Sequence, residues 1–320
     1  MRIQIITTNP TTPNQGNAVT AKRWSRFCRQ LGHVVRIDSV ADFDKAWNAD
    51  VLVALHAEKS ADAMRQFRQD YPQRPIVLML TGTDIYGQKS QRAVRKSIAM
   101  ADRLVVLQSA AIRQLSESAA TKTHVILQSA EPLSSKPMPL RREFEISVVG
   151  HLRLEKDPFR PALASAELPP DSRIRIRHYG AALSREFARQ AKRLSATLPR
   201  YHWFGPYARW KTVRRIARSQ LLIQPSRSEG GASVLSEALV NQTPVLASRI
   251  PGNTGILGED YPGLFAVEDT TELARLMLRF ETDRAYRTEL QDCVRRLAKL
   301  FTSEREAQAI QELLASVRSQ

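Results

Sequence analysis

Apolar positions in the first part of the chain fall into two alternating patterns. Short, nearly unbroken apolar runs lie at residues 2–7, 34–38, 51–55, 76–80, 104–107 and 125–127. Between them, apolar residues return every three or four positions, at 18–31, 59–70, 90–101 and 110–118. A continuous short run suits a strand buried on both faces, and the wider spacing suits an amphipathic helix. Strand and helix in alternation predict a parallel sheet covered by helices. After residue 140 the alternation resumes. Strands are expected at 145–149, 174–178, 201–204, 221–224, 245–247 and 264–267, and helices at 159–167, 184–196, 208–218, 233–241 and 271–281. Residues 285–317 read as helical, with a break near Thr302 and Ser303.

Between the halves, the stretch from Glu131 to Leu140 holds three prolines in ten residues and reads as a linker. A chain of 320 residues suits two domains of about 150 residues each. The expected fold class is therefore α/β, with two Rossmann-like domains facing each other across a cleft. The first spans 1–140 and is completed by a C-terminal helix at 303–320; the second spans 141–302. Ligands of such sheets bind beyond the carboxyl ends of the strands. The first-domain loops to watch thus follow Thr7, Leu80 and Leu127.

Composition narrows the class. With 42% hydrophobic and 25% charged residues, the chain is neither disordered nor fibrous. No apolar run reaches the roughly 18 residues of a membrane span, so no stable membrane insertion is expected. The first residues read as a strand rather than a signal peptide, which makes the cytoplasm the expected location. Cys28 and Cys293 fit no metal or redox spacing and read as inert thiols. The net charge is +16, from 48 basic and 32 acidic residues, and it is spread evenly, with +8 in residues 1–150 and +8 in the rest. An even basic surface favours anionic partners of any kind. A merely solubilising surface has the same look.

The densest chemistry lies in Pro225-Ser-Arg-Ser-Glu-Gly-Gly-Ala-Ser-Val-Leu-Ser-Glu237. A strand ends in a small polar loop, and Gly230-Gly231 opens a helix. Unpaired N–H groups and the helix dipole make that end a site for a phosphate or for sugar hydroxyls. Glu229 and Glu237 flank it, and a carboxylate accepting two hydrogen bonds suits a vicinal diol. Read blandly, Glu229 would be a cap and Glu237 a solvated helix residue. The segment Gly150-His-Leu-Arg-Leu-Glu-Lys156 closes an earlier strand with three basic side chains. Lys156 suits a leaving diphosphate, where charge develops in the transition state. In the first domain, Gly16 and Asn17 open a helix, and Thr81 and Thr83 follow a strand. Ser248 to Gly255, with Asn253, follow a second-domain strand as a turn-rich loop.

Pro-Ser, then Glu-Gly-Gly-x5-Glu-Ala, then Thr-Pro-Val-Leu-Ala-Ser resembles the nucleotide-sugar signature of the retaining glycosyltransferases with the GT-B fold. The resemblance implies that Glu229 contacts the transferred sugar and that Gly230, Gly231 and Ala232 offer backbone donors. It further implies that Glu237 holds the nucleotide ribose, with Ser226, Gly150 and His151 completing the UDP-sugar site. That family places an Arg after the glycine and a Lys five residues later. Here the Lys is Lys156, the Arg position is His151, and Arg153 stands two residues on. The catalytic set implied is Lys156, Arg153 and Glu229; the acceptor side is Gly16, Asn17, Thr81, Thr83 and Asn253. Related enzymes often carry a His near Thr81, so no general base is offered there.

Five segments together resemble the selenosugar synthases of selenoneine biosynthesis. They are Gly-Asn-x-Val-Thr-Ala-x-Arg-Trp, Leu-Thr-Gly-Thr-Asp, Gly-His-Leu-Arg-x-Glu-Lys-Asp-Pro-Phe, Ser-Glu-Gly-Gly-Ala and Ser-Arg-Ile-Pro-Gly-Asn-x-Gly-x-Leu-Gly-Glu-Asp-Tyr-Pro-Gly, and they run from Gly16 to Gly263. That resemblance implies transfer from a UDP-sugar, typically UDP-N-acetylglucosamine, to selenophosphate, with both as substrates and no cofactor. It leaves room for contact with a downstream enzyme of the same pathway. Two other readings stay open: a GT-B enzyme with another anionic, lipid or polysaccharide acceptor, and a non-catalytic nucleic-acid binder. The even charge and 7% aromatic content count against nucleic acid. Asp42-Phe-Asp44 looks like a metal-binding Asp-x-Asp but reads better as a cap, and the six His lack ligand spacing, so no metal is expected. Trp24, Phe27 and Leu31 are expected to pack inward from a basic helix.

Overall fold

The computed structural model describes residues 1–8, 10–11, 16–86, 91–139 and 142–317, without the side chains of residues 45, 83 and 91. The chain forms two compact units, one of residues 1–128 with 303–320 and one of residues 129–302. The proline-rich segment expected as the tail of the first domain goes with the second unit. There, Leu133 N–H donates to Asn241 Oδ1 at 3.0 Å, and Lys136 Nζ donates to the Gln242 carbonyl at 3.2 Å.

In the first unit the chain runs β1 (Arg2–Thr7), α1 (Gly16–Gln30), β2 (Val34–Ser39), β3 (Val51–Leu55), α2 (Ala61–Asp70), β4 (Ile76–Leu80), α3 (Thr83–Tyr86), α4 (Gln91–Met100), β5 (Arg103–Val106), α5 (Glu117–Ala120) and β6 (Thr123–Val125). The strands pair in parallel in the order β2-β1-β3-β4-β5-β6. Every residue of β3 and β4 is buried, which is why these strands read as unbroken apolar runs. Trp24 and Phe27 of α1 pack on one face of the sheet with Ile310, Leu313 and Leu314. Met64, Phe67 and Val94 pack on the other. Leu31 is partly buried against the first cluster.

The second unit runs β7 (Phe144–Val149), α6 (Arg160–Ala166), β8 (Ile174–Tyr179), α7 (Arg185–Thr197), β9 (Tyr201–Trp203), α8 (Arg209–Arg218), β10 (Leu221–Gln224), α9 (Ser233–Val240), β11 (Val245–Ser248), α10 (Pro251–Leu257), β12 (Leu264–Phe265), α11 (Thr270–Thr282) and α12 (Arg284–Ala298). Its strands are again parallel, in the order β12-β11-β10-β7-β8-β9. A final helix, α13 (Ser303–Ser316), returns to the first unit. There the nearly buried Glu306 accepts from Arg23 of α1 at 3.0 Å.

The architecture is α/β in both units, as expected, and two local expectations change. The helix expected at 110–118 is a 3-10 turn, Ser109–Gln114, followed by the single turn α5. Gln108 and Ser116 cap these pieces by accepting from Ala111 N–H and Ala119 N–H, and so interrupt a continuous helix. The loop expected after Ser248 is helix α10, with Pro251 in its first turn, where a missing N–H costs nothing. The break expected near Thr302 and Ser303 is present: α12 ends at Ala298 and α13 begins at Ser303.

Candidate active site

In the second unit the chain leaves β7 toward β8 and β9, then returns to β10 and proceeds to β11 and β12. β7 and β10 are therefore neighbours whose outgoing connections diverge, with Leu222 opposite Ser147. The carboxyl ends of two such strands form a crevice where ligands of parallel sheets bind. Lys156 follows β7 and Glu229 follows β10. Strand order alone thus brings together two residues that the sequence separates by 73 positions.

Glu229 is held tightly. Its Oε1 accepts from Lys156 Nζ, from Ser226 Oγ at 2.6 Å and from Gln224 Nε2 at 2.8 Å. Its carboxylate is 9% exposed, so three donors compensate a largely buried charge. Ser226 is fully buried, and its carbonyl accepts from Ser248 Oγ of β11. Asn253, expected to face an acceptor, is instead fully buried. Its Nδ2 donates to the Ser248 carbonyl at 2.9 Å and to Ser248 Oγ at 3.1 Å, so it braces the loop from behind. Gly252 is sterically required, because a Cβ there would lie 2.1 Å from the Glu229 carbonyl oxygen.

Gly230 is buried and Gly231 half-buried ahead of Ala232, the N-cap of α9. No side chain caps this helix, whose first N–H groups and dipole favour an anion. Glu237 lies on α9 with its side chain 7% exposed, and it accepts from Arg209 Nε of α8 at 2.8 Å. The solvated reading of Glu237 is thereby excluded.

The loop after β7 places Gly150, His151, Arg153 and Lys156 in one short segment. Lys156 ends a 3-10 turn, Leu154–Lys156, and Asp157 follows in the left-handed region with φ 41°. Asp157 accepts from Arg160 Nε at 2.8 Å, and Arg227 N–H donates to the Glu155 carbonyl at 2.8 Å, which ties this loop to the one bearing Glu229. His151 Nδ1 accepts from Ala181 N–H at 3.2 Å, which ties the ring to the segment after β8. Arg153 is half-exposed, with Glu155 at 3.8 Å. A small pocket is lined by Gly150, Lys156, His178, Gln224 and Ser226.

Two contributors escaped the sequence reading. Gln224 ends β10 and reaches Glu229. His178, near the end of β8, bonds the Gly150 carbonyl through Nε2 at 3.2 Å and Tyr201 Oη through Nδ1 at 2.9 Å. Burial lowers His178 from 6.5 to about 4 and keeps the ring neutral. Gln224 closes a fully buried apolar strand, which was a weak signal, whereas His178 lies in a strand that alternates with Arg175 and Arg177 and carried none.

In the first unit, the outgoing connections diverge between β1 and β3. Gly16 and Asn17 begin α1, and Thr81 follows β4. The side chain of Thr83 lies outside the described residues. Asp84, nearly buried, accepts from the N–H groups of Ala57, Thr81 and Gly82 at 3.0, 2.9 and 2.7 Å. His56 leaves β3 in the left-handed region with φ 77°, which is uncommon for a non-glycine residue. Desolvation lowers its pKa, and the Asp84 charge partly opposes that. No pattern in the sequence marked His56.

Among the described residues, no three His, Cys, Asp or Glu side chains gather as a metal site. Asp44 of the Asp-x-Asp instead caps the turn Lys45–Trp47, accepting from Ala46 N–H at 2.9 Å, and pairs with Arg36. Among the described residues, no helix is long and apolar enough to cross a membrane.

Two parallel α/β units, one carrying an uncapped helix N-terminus flanked by carboxylates and a lysine, define a GT-B architecture. Solved structures share it. Sucrose-phosphate synthase from Thermosynechococcus elongatus superposes with a TM-score of 0.82 over 99% of both chains at 16% identity. HepE from Anabaena, in complex with UDP-glucose, superposes with a TM-score of 0.77 over 99% of this chain and 100% of its own, at 17% identity. Protein CapJ from Staphylococcus aureus is 38% identical over 69 residues, a stretch spanning 22% of this chain and 17% of CapJ. The family model for glycosyl transferases group 1 matches residues 135–297, half of the chain, and the protein belongs to that family.

Proposed function

We propose that the protein transfers a sugar from a UDP-sugar to selenophosphate, with N-acetylglucosamine as the sugar. The observation that carries the donor half is the convergence of Lys156 and Glu229 on the uncapped N-terminus of α9, with Glu237 buried on the same helix. Lys156 takes the diphosphate, the backbone at Gly230 to Ala232 takes sugar hydroxyls or phosphate, and Glu237 takes the ribose diol. HepE, bound to UDP-glucose in its crystal structure, supports UDP as the leaving group. The acceptor half rests on the resemblance to selenosugar synthases that runs from Gly16 to Gly263.

Selenium is a soft nucleophile that is already deprotonated in selenophosphate, so it needs cations and backbone donors rather than a base. Its lone pair forms the bond to the anomeric carbon as the bond from that carbon to the UDP oxygen breaks. The electron pair leaves on the β-phosphate, where the three N–H donors of Lys156 offset the growing charge. Water then cleaves the Se–P bond, releasing phosphate and a 1-seleno-sugar. We assign the acceptor to the first unit, near Gly16, Asn17 and Thr81.

The test is UDP release from UDP-N-acetylglucosamine and from UDP-glucose, with and without selenophosphate made in the same tube, and mass detection of the selenium isotope pattern on the sugar. A selenosugar that needs both substrates is expected. UDP binding without selenium-dependent turnover would move the acceptor to another anion, a lipid or a polysaccharide. No UDP binding would overturn the donor assignment.

A further inference from the structure

His178 lies outside the donor signature, yet its ring forms part of the pocket wall shared by Gly150, Lys156, Gln224 and Ser226. It is 1% exposed, so each of its polar atoms needs a partner within the protein. The two partners settle the tautomer. The Gly150 carbonyl can only accept, so Nε2 carries the proton and donates across 3.2 Å. Nδ1 of the neutral ring then accepts from the Tyr201 hydroxyl at 2.9 Å. A directed chain thus runs from Tyr201 on β9, through His178 on β8, to the first peptide of the loop that follows β7.

A second layer of contacts acts on the same peptide. Gly180 lies so close that a Cβ there would stand 1.8 Å from the Gly150 oxygen and 3.0 Å from the His151 nitrogen. Gly180 is itself held from β9 and the residues just after it, with its carbonyl accepting from Trp203 Nε1 at 2.8 Å and its N–H donating to the Gly205 carbonyl at 2.8 Å. Beyond it, Leu152 N–H donates to the Ala181 carbonyl at 2.9 Å, and Leu183 N–H donates to the Leu152 carbonyl at 3.2 Å. The loop that presents Lys156 is therefore laid along residues 178–183, and its Gly150–His151 peptide is gripped from the carbonyl side by His178 and from its face by Gly180.

We propose that His178 is a positioning residue for donor binding: its Nε2–H fixes the Gly150 carbonyl and, through it, the loop that carries Lys156 to Glu229. The claim rests on the donor reading above for its kinetic consequence and on geometry alone for its structural one. A misplacement of about 1 Å at a reacting group costs on the order of 100-fold in rate, so a loop released from this grip loses turnover out of proportion to its loss of stability.

Two substitutions separate the two ends of the imidazole. His178→Gln carries an amide nitrogen near the position of Nε2 and can still donate to Gly150. His178→Asn places its polar atoms near Nδ1; it keeps the Tyr201 contact and drops the Gly150 one. Full-length parent and both variants are compared by amide hydrogen exchange over residues 150–156, by UDP titration and by kcat and KM for UDP-sugar turnover. In His178→Asn, exchange at Leu152 and Lys156 is expected to rise at least about tenfold, UDP binding to weaken and kcat/KM to fall about 10- to 100-fold. His178→Gln is expected to recover kcat/KM to within about threefold of the parent, at a similar melting temperature. A folded His178→Asn protein whose loop exchanges at the parent rate would overturn the proposal, as would equal losses in both variants that merely track stability. If the parent binds no UDP, the donor reading fails, and hydrogen exchange still decides whether His178 holds the loop.

Discussion

The two units share a plan, six parallel strands whose outgoing connections diverge once, and they furnish that point differently. In the second unit, side chains from β8, β10, β11 and the loop after β7 grip one another, and glycines let backbones touch. Glu229 alone takes donors from Lys156, Gln224 and Ser226. In the first unit, one carboxylate, Asp84, gathers backbone N–H groups from the ends of β3 and β4. Among the described residues, Gly16 at the start of α1 has no atom from beyond its own turn within 4 Å of where a Cβ would stand, whereas Gly180 and Gly252 have backbone atoms within about 2 Å. The difference teaches that the second unit is built to hold charged groups at fixed spacing, and the first to hold loop backbone in shape.

The sharpest way to break this contrast is a methyl group. Gly252→Ala drives a Cβ into the Glu229 carbonyl, so turnover should fall by at least about 100-fold, with a lower melting temperature. Gly16→Ala should fold at the parent's melting temperature. Thermal melts and UDP release on the two variants decide it, and comparable damage from both would erase the distinction.

Lys156→Ala comes next. Removing a preorganised cation at a developing charge costs about 100- to 1000-fold in kcat. In steady-state kinetics kcat should fall by that amount while the protein stays folded; an unchanged kcat would remove Lys156 from the chemistry.

Asp84→Ala tests the first unit on its own terms. It leaves backbone N–H groups of Ala57, Thr81 and Gly82 without their carboxylate, at a cost of roughly 2–3 kcal/mol in denaturant unfolding. UDP affinity should be unaffected. Equal stability to the parent would show that water replaces the carboxylate at no cost.

The smallest effect is a pH slope. His178 sits at about 4 in the fold against an ordinary 6.5, so the unfolded chain binds its proton first. Its contribution is fully present above about pH 6.5 and is lost as pH falls toward 4. His56 and His124 in the first unit are lowered as well and add to the parent's slope. His178→Gln should therefore lose less melting temperature between pH 7 and pH 5 than the parent does. Parallel slopes would show that His178 carries no such penalty.

Much of this was legible in residues. Buried parallel strands announce themselves as apolar runs, which is why β3, β4 and β10 fall where the pattern predicts. Glu229, Gly230, Gly231 and Glu237 stand out because strand, small polar loop and helix come in a set order. Other features need the third dimension. Pro251-Gly-Asn has the composition of a turn, yet it opens α10, because Gly252 is small enough to lie on the Glu229 backbone. Asn253 looks like a ligand contact and is a buried brace. Gln224 and His178 resemble ordinary strand residues until their neighbours are known. The left-handed backbone of His56 has no signature in a one-dimensional pattern.

The measurement that tests the central claim most directly is a calorimetric titration of UDP into the full-length protein, the Glu237→Ala variant and the Asp84→Ala variant. The account predicts saturable one-site binding by the parent, binding weakened at least about tenfold in Glu237→Ala, and parent-like binding in Asp84→Ala. A parent that binds no UDP, or a Glu237→Ala protein that binds it as tightly as the parent, would contradict the assignment of the donor site to the second unit.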